Sequence, residues 1–230
     1  MLTLNPELAL IFDLDGVVID SMPTHTQAWE RYLEQNGIDP SNIEARMHGK
    51  RNDDLVRDLF GKDLSADVVF EHGAAKERLF RQMIGATLEE KLVPGIREFL
   101  AEASEIVPLA MGTNAEPANV DFILNGAGIR KYFRAIVDGS QVARAKPAPD
   151  VYLRGAELVG VEPANCIVFE DSPVGIQAAR AAGMRVVGLL THAASLDGVD
   201  LAVPDFVHPE LESWLSEQRP IQQPIAKSSR

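Results

Sequence analysis

The sequence predicts an α/β fold, in which helices cover both faces of a parallel sheet and a helical module follows the first strand. Short apolar runs recur along the chain, and a polar turn and a helical pattern follow most of them. Continuous apolar strands are typical of a parallel sheet that is buried on both faces. Between about residues 21 and 92 such strands are missing, and the pattern there is helical.

Six strands are predicted from these apolar runs. In chain order they are Leu8–Phe12, Val107–Met111, Ala135–Val137, Cys166–Phe169, Val186–Leu190 and Leu201–Val203. Helix signals lie between them: Ser172 offers an N-cap, and Pro173 then occupies the first helical position. Thr113 or Asn114 is expected to cap a helix over residues 117–124.

The inserted module contains three predicted helices, at residues 24–36, 53–60 and 67–84. The chain crosses twice between this module and the sheet, and two crossings favour a hinge and a cap that opens and closes. We expect a core from residues 1–20 and 93–217, a helical cap from 21–92, and a flexible tail from 218–230.

The overall composition excludes some partners. The apolar content of 46% and the charged content of 24% are ordinary for a globular protein. A net charge of −12 argues against a nucleic-acid partner, because phosphate backbones bind basic faces. An anionic substrate would therefore need a metal ion and a few well-placed cations to overcome the surrounding negative field.

Several other sequence features indicate the cellular setting. Cys166 is the only cysteine, so no disulfide can form within the chain, which fits a reducing compartment. The N-terminus shows no signal-peptide pattern, and no apolar run approaches the roughly 20 residues that span a bilayer. The histidines lack zinc-ligand spacing. We expect a cytoplasmic protein without a membrane partner, and a monomer.

Polar side chains follow four of the predicted strands. They are Asp13 and Asp15 after the first, Thr113 after the second, Lys146 in the loop after the third, and Glu170 and Asp171 after the fourth. Ligands of open α/β sheets bind beyond the carboxyl ends of the strands, so we expect these groups to meet there. Carboxylates, a hydroxyl and an ammonium together indicate phosphoryl transfer.

Each group has a task in that chemistry. Asp13 can attack phosphorus and form an aspartyl phosphate, and Asp15 can donate a proton to the leaving oxygen and later accept one from water. Thr113 and Lys146 would hold the phosphoryl oxygens. Because one anion attacks another, a divalent metal is needed, and Mg²⁺ prefers oxygen ligands. The expected metal ligands are Asp13, Asp171 and Glu170.

Each of these residues also has a structural explanation when it is taken alone. Asp13 and Asp15 resemble ordinary turn residues, and Thr113–Asn114 resembles a helix cap. Glu170–Asp171 could be first-turn acids that a helix dipole favours. The order of the motifs, each after a strand, favours the chemical interpretation over these structural ones.

Together the motifs resemble those of the haloacid dehalogenase superfamily. The matching segments are Asp13–Val17, Thr113, Lys146–Asp150 and Glu170–Ser172, and the similarity extends to about residue 209. It is closest to the subgroup with β-phosphoglucomutase and small sugar-phosphate phosphatases. The resemblance implies a Rossmann-like core, a cap of the four-helix-bundle type and Mg²⁺ as cofactor, with the backbone carbonyl of Asp15 as a further metal ligand.

The resemblance also implies substrate-contacting positions. His25 matches a hinge histidine, Lys76 matches a cap lysine that points into the site, and Asn114 is expected beside the phosphate. Lys50, Arg51 and Asn52 form the expected substrate-selecting loop. Mutases of the subgroup carry an arginine for a second phosphate where this chain has Asn52, which argues against mutase activity.

The predicted function is therefore a Mg²⁺-dependent phosphatase for a small phosphorylated metabolite of the sugar-phosphate type. The alternative is a β-phosphoglucomutase, which interconverts β-glucose 1-phosphate and glucose 6-phosphate. A dehalogenase is disfavoured because it does not need Asp15. A phospho-accepting receiver domain is disfavoured because its acid pair precedes the acceptor aspartate, which is the reverse of the order seen here.

Overall fold

The computed structural model describes residues 2–47 and 52–221, and its centre is a six-stranded parallel sheet in the order β3-β2-β1-β4-β5-β6. The strands are β1 (Ala9–Phe12), β2 (Leu109–Gly112), β3 (Ala135–Val137), β4 (Cys166–Glu170), β5 (Arg185–Leu189) and β6 (Leu201–Val203). All six predicted strands are present, with ends that differ by one or two residues. The order confirms the predicted Rossmann-like α/β fold.

The register of the central strands brings the polar motifs to one edge of the sheet. Phe12 pairs with Met111 of β2 and with Phe169 of β4. The three strands therefore end at nearly the same level. The residues that follow them, which include Asp13, must lie next to one another at the carboxyl edge.

Helices cover both faces of the sheet. They are α6 (Ile96–Ser104), α7 (Pro117–Gly126), α8 (Asp150–Val159), α9 (Pro173–Ala181) and α10 (Pro209–Glu217), with 3₁₀ turns at Arg130–Tyr132 and Pro163–Asn165. Helices α8 and α9 bury their apolar side chains against one face, while α6, α7 and α10 cover the other. Among the described residues, no helix has both the length and the apolar character to cross a bilayer.

In the described residues between β1 and α6, the chain forms five helices. They are α1 (Met22–Gln35), α2 (Ile43–Met47), α3 (Asn52–Phe60), α4 (Ala66–Gly85) and α5 (Leu88–Lys91). They have a hydrophobic cluster of their own, which includes Trp29 and Leu33 of α1, Leu55 of α3 and Val69 of α4. This third cluster is separate from the two that cover the sheet.

The two crossings between this segment and the sheet lie side by side. The Asp20 N–H donates to the carbonyl of Lys91 at 2.7 Å, and the Val93 N–H donates to the carbonyl of Val18 at 3.1 Å. The two connecting segments are thus hydrogen-bonded to each other. A rotation of the inserted helices would therefore move both segments at once.

Two local expectations about helix ends have different outcomes. Ser172 does cap α9, because its Oγ accepts the Gly175 N–H at 3.1 Å. Thr113 and Asn114 do not cap α7, so that prediction is wrong. The helix begins at Pro117 as predicted, so its N-cap position is held by Glu116, which makes no side-chain capping bond, and Thr113 and Asn114 lie too far before the helix to cap it.

The first residues of the predicted flexible tail contact the core. Arg185 donates to the Gln218 Oε1 at 2.9 Å, and the Ile221 N–H donates to the Asn165 Oδ1 at 2.7 Å. Residues 218–221 are therefore anchored to the core, while residues 222–230 lie outside the described part of the chain.

The aromatic core beneath the site makes a stability prediction. Phe169 is fully buried and stacks on Phe12 with 4.6 Å between ring centroids. We expect Phe169→Ala to lower the free energy of unfolding by about 3–5 kcal/mol, because it removes these contacts and leaves a cavity. Phe70 is 73% exposed, and Phe70→Ala is the control, with an expected change within about 0.5 kcal/mol. Equal effects in denaturant titrations would contradict this account of the core.

Candidate active site

Three carboxylates meet at the carboxyl edge of the sheet. Asp13, Glu170 and Asp171 each offer an oxygen, and these oxygens lie within 4.8 Å of one another. Gly16, with φ of +75°, lies so close that a Cβ at this position would overlap with the Asp171 carboxylate. The glycine of the Asp-x-Asp-Gly motif therefore provides both the turn and the space for Asp171.

Lys146 supplies the positive charge at the centre of this cluster. Its buried Nζ lies 2.9 Å from the Asp13 Oδ1 and 2.7 Å from the Glu170 Oε1. Burial alone would lower the pKa of Lys146, but the two carboxylates outweigh it and raise the pKa. The Asn114 Oδ1 accepts the Lys146 backbone N–H at 3.2 Å and so fixes the loop that carries this side chain.

Glu170 is fully buried and is held by donors on both oxygens. Its Oε1 accepts from Lys146 and from the Tyr152 hydroxyl, each at 2.7 Å. Its Oε2 accepts from the Asp171 and Ser172 N–H groups and from the Ser172 hydroxyl, all at 2.9 Å. Burial would raise the pKa of Glu170, but Lys146 and the other donors lower it, so the carboxylate is charged.

Asp13 and Asp171 differ from Glu170 in that their pKa values are raised. Burial is the largest cause that raises the pKa of Asp13 to about 7, against the opposing effect of Lys146. Burial and the charge of Glu170 raise the pKa of Asp171 well above its ordinary value. Closely spaced oxygens that hold protons near neutral pH are suited to a divalent cation, which replaces the protons when it binds.

Asp15 lies beside this cluster and has partners from the inserted helices. Its Oδ1 accepts the Ser21 hydroxyl at 2.5 Å and lies 3.7 Å from the His25 Nε2. Burial would raise the pKa of Asp15, but His25 and Ser21 outweigh it and lower the pKa. In the substrate-free protein Asp15 is therefore a carboxylate at neutral pH.

His25 connects Asp15 to a buried lysine. The Lys76 Nζ donates to the His25 Nδ1 at 2.8 Å, which leaves the hydrogen of the ring on Nε2, on the side of Asp15. The His25 ring stacks on Phe80 with 3.7 Å between centroids. His25 and Lys76, which we expected near the site on the basis of the resemblance, thus form one chain of contacts with Asp15.

The residue that pairs with this lysine was not predicted from the sequence. Glu77 accepts from the Lys76 Nζ at 2.8 Å, from the Asn52 Nδ2 at 2.5 Å and from the Asn119 Nδ2 at 2.7 Å. No spacing in the sequence indicates these contacts, since α3, α4 and α7 meet only in the fold. The amide of Asn52 is therefore engaged by Glu77, while Lys50 and Arg51 of the expected loop lie outside the described residues.

Thr113 completes the edge. It is 1% exposed, and its Oγ1 accepts the Ala115 N–H at 3.1 Å. The hydroxyl hydrogen is therefore available for another acceptor.

Tyr152 is a second group that was not predicted from the sequence, because a tyrosine on the buried face of a helix looks like an ordinary core residue.

The comparison with a family model decides the family. The model for haloacid dehalogenase-like hydrolases matches residues 8–183, which is more than half of the chain. The chain belongs to this family. The match confirms the resemblance inferred from the four motifs.

Individual relatives are similar over most of the chain. Fructose-1-phosphate phosphatase of Escherichia coli is 36% identical, and the match covers 77% of this chain and 94% of the relative. β-Phosphoglucomutase of Bacillus subtilis is 32% identical, with 90% and 96% covered. The crystal structure of β-phosphoglucomutase from Clostridium difficile matches with a TM-score of 0.77 and 25% identity, covering 90% of this chain and 96% of that one. The chain is a phosphoryl-transfer enzyme.

The contact between Glu170 and α9 makes a prediction about geometry. Gly175 is the third residue of α9, and a Cβ there would overlap with the Glu170 carboxylate. We expect Gly175→Ala to displace Glu170 and to lower kcat/KM for phosphate release by about 100-fold, because small misplacements in a site are costly. Circular dichroism should show a folded protein.

The control for this variant is Gly73→Ala, which makes the same change inside α4. No atom lies within 4 Å of a Cβ at Gly73. We expect Gly73→Ala to raise the free energy of unfolding by about 0.5–1 kcal/mol without a change in activity. Full activity of Gly175→Ala would show that the position of Glu170 does not matter.

Proposed function

We propose that this enzyme is a Mg²⁺-dependent phosphatase that hydrolyses a small sugar phosphate through an aspartyl phosphate on Asp13. Activity of the sugar-phosphate phosphatase or phosphoglucomutase type is supported by the family and by its relatives. The observation that supports the finer proposal is the arrangement around Asp13. Beside Asp13 lie Lys146, Glu170 and Asp171. Asp15, two residues further along the chain, has hydrogen-bond partners of its own.

The first step is attack by the Asp13 carboxylate on phosphorus, which breaks the bond to the leaving alcohol. Lys146 and the Thr113 hydroxyl would hold the phosphoryl oxygens and balance their charge. Mg²⁺, held by Asp13, Glu170 and Asp171 and by the Asp15 carbonyl, would supply the charge neutralisation between the two anions. Hard oxygen donors in close proximity fit this ion.

Asp15 would move the protons in both steps. The phosphate group brings negative charge next to Asp15 and raises its pKa, so that Asp15 takes up a proton when the substrate binds. It then donates this proton to the leaving oxygen. In the second step Asp15 accepts a proton from the water that attacks phosphorus, the bond between Asp13 and phosphorus breaks, and inorganic phosphate leaves.

The inserted helices, residues 21–92, would serve as a cap over the core formed by residues 1–20 and 93–217. His25 of this segment lies 3.7 Å from Asp15, and Lys76 donates to His25 at 2.8 Å. Closure of the cap would therefore exclude bulk water while Asp13 attacks phosphorus and place the acid–base group.

Phosphatase is favoured over mutase by Asn52 and Glu77. A mutase must hold two phosphates while its intermediate reorients, whereas the Asn52 amide is bonded to the Glu77 carboxylate. A relative with a phosphatase name, the fructose-1-phosphate phosphatase, is also among the similar proteins.

Substitutions of the two aspartates test the chemical roles. We expect Asp13→Asn to abolish Mg²⁺-dependent phosphate release, since an amide is a poor nucleophile. We expect Asp15→Asn to lower kcat by about 10²–10⁴-fold, since the proton transfer is lost. Asp121→Asn, an exposed change on α7, is the control and should leave the rate unchanged. Wild-type rates in Asp13→Asn would exclude the nucleophile role.

A substrate screen separates phosphatase from mutase. Sugar phosphates are incubated with enzyme and Mg²⁺, and released phosphate is measured along with any glucose 6-phosphate formed from β-glucose 1-phosphate. We expect phosphate release without efficient isomer formation, because Lys76 and the Asn52 amide, which could otherwise bind a second phosphate, are already engaged by Glu77. Isomer formation with little phosphate would establish the mutase.

The pKa of Asp13 predicts how pH changes the effect of Mg²⁺. The pKa is raised to about 7, so the stability that this group contributes in the metal-free protein is present at low pH and is lost as pH rises through about 7. Mg²⁺ competes with the bound proton, and its binding should tighten over the same range. We expect Mg²⁺ to raise Tm more at about pH 8 than at about pH 6, and less so in Asp13→Asn. An equal or smaller rise at the higher pH would contradict the assignment.

A further inference from the structure

A cluster of charged and amide side chains joins the inserted helices to the core behind His25. We call it the Glu77 cluster, and it consists of Asn52 of α3, Lys76, Glu77 and Arg81 of α4, Glu116 before α7, and Asn119 of α7. Glu77 is 3% exposed and Asn119 is also 3% exposed, so the centre of the cluster is closed to solvent. The cluster contains two cations and two carboxylates.

Each cation and each amide of this cluster already has a partner. Lys76 and both amides donate to Glu77. Arg81 donates to the Asn119 Oδ1 at 2.6 Å and lies 3.8 Å from the Glu116 Oε1. These are the groups that an anionic substituent of a substrate would need, and the carboxylates of the protein engage them instead.

The cluster lies on the leaving-group side of the site. Lys76 contacts His25, and His25 is 3.7 Å from Asp15, the group assigned to the leaving oxygen. Glu116 comes three residues after Thr113 and directly precedes α7 as its N-cap residue. The start of a helix ordinarily favours an anion, but here Pro117 has no N–H to offer and Glu116 presents a carboxylate that is 36% exposed.

The two carboxylates act on the same region. Burial would raise the pKa of Glu77, but Lys76 and His25 lower it to about 2, so this group is charged at neutral pH. Burial and the charge of Glu77 both raise the pKa of Glu116. The carboxylates thus repel each other, and a further anion nearby would be repelled by both.

We propose that Glu77 and Glu116 determine substrate selectivity by rejecting a second phosphate on the leaving alcohol. The substrate is then a phosphomonoester of an uncharged polyol, and bisphosphates are excluded. This inference rests on the proposed phosphatase activity and adds the residues that select its substrate. Selectivity of this kind arises from repulsion of the bisphosphate by like charge and from donors that are already occupied. It does not require an additional contact with the monophosphate substrate.

The test compares one matched substrate pair across four proteins. Phosphate release from fructose 1-phosphate and from fructose 1,6-bisphosphate is measured with Mg²⁺ at about pH 8, where carboxylates are ionised. The proteins are the wild type, Glu77→Gln, Glu116→Gln and Glu71→Gln. Glu71 is exposed on the same helix as Glu77, so its variant is the control for the loss of one charge.

We expect the wild type to prefer the monophosphate in kcat/KM by at least about tenfold, since like charge across a contact is costly. Glu116→Gln and Glu77→Gln should each reduce this preference several-fold, and Glu71→Gln should retain it. If Glu77→Gln does not fold because Lys76 loses its partner, the partly exposed Glu116 still decides the test.

Two results would overturn the inference. One is a wild type that hydrolyses both substrates equally well, and the other is a ratio that neither glutamine variant changes. A purely structural role would lower kcat/KM for both substrates together and leave the ratio as it was. Absence of phosphate release from every monophosphate in the substrate screen would instead contradict the proposed phosphatase, so the two failures are distinguishable.

Discussion

The ammonium group of Lys146 makes the acidic edge of this sheet possible. Asp13, Glu170 and Asp171 are packed within a few ångströms of one another in a largely dry environment, and carboxylates in that situation repel strongly. Lys146 contacts two of the three and is itself buried, so its charge is scarcely screened by water. Each buried ion offsets the free-energy cost of burying the others. Removal of a single partner from such a cluster is therefore more destabilising than replacement of the whole set by apolar groups.

Lys146 neutralises only part of the negative charge of the three carboxylates, and the remaining negative charge makes the cluster suited to catalysis. Glu170 remains ionised, because five hydrogen-bond donors bind its two carboxylate oxygens. Asp13 and Asp171 are left with raised pKa values. Groups that are poised between two protonation states respond most to an added cation or anion, which is typical of functional sites.

A second buried lysine repeats the arrangement on the side of the inserted helices. Lys76 is enclosed by the rings of Trp29 and Phe80 and is compensated by Glu77. In the first cluster the carboxylates are in excess and attract a cation, whereas in the second the charges balance. The contrast indicates that one side of the site is arranged for a phosphoryl group and the other for an uncharged alcohol.

Much of the fold and of the first cluster could be predicted from the sequence, because both follow from local patterns. Apolar runs indicate strands, and parallel strands deliver the residues that follow them, such as Asp13 and Glu170, to one edge. Glu77 could not be predicted, since its partners Asn52 and Asn119 come from helices whose contacts only the tertiary structure defines. Thr113 and Asn114 were wrongly expected to cap α7, because Glu116 holds the N-cap position directly before Pro117.

In the proposed mechanism Asp13 accepts the phosphoryl group, and mass spectrometry of the Asp15→Asn variant tests this role. Without the base that activates water, the phosphorylated protein should accumulate when a sugar phosphate and Mg²⁺ are added. After an acid quench and digestion, we expect one added phosphoryl group on the peptide that contains Asp13, and none when Asp13 is also changed to Asn. A phosphoryl group on any other residue, or its persistence in the double variant, would contradict the account.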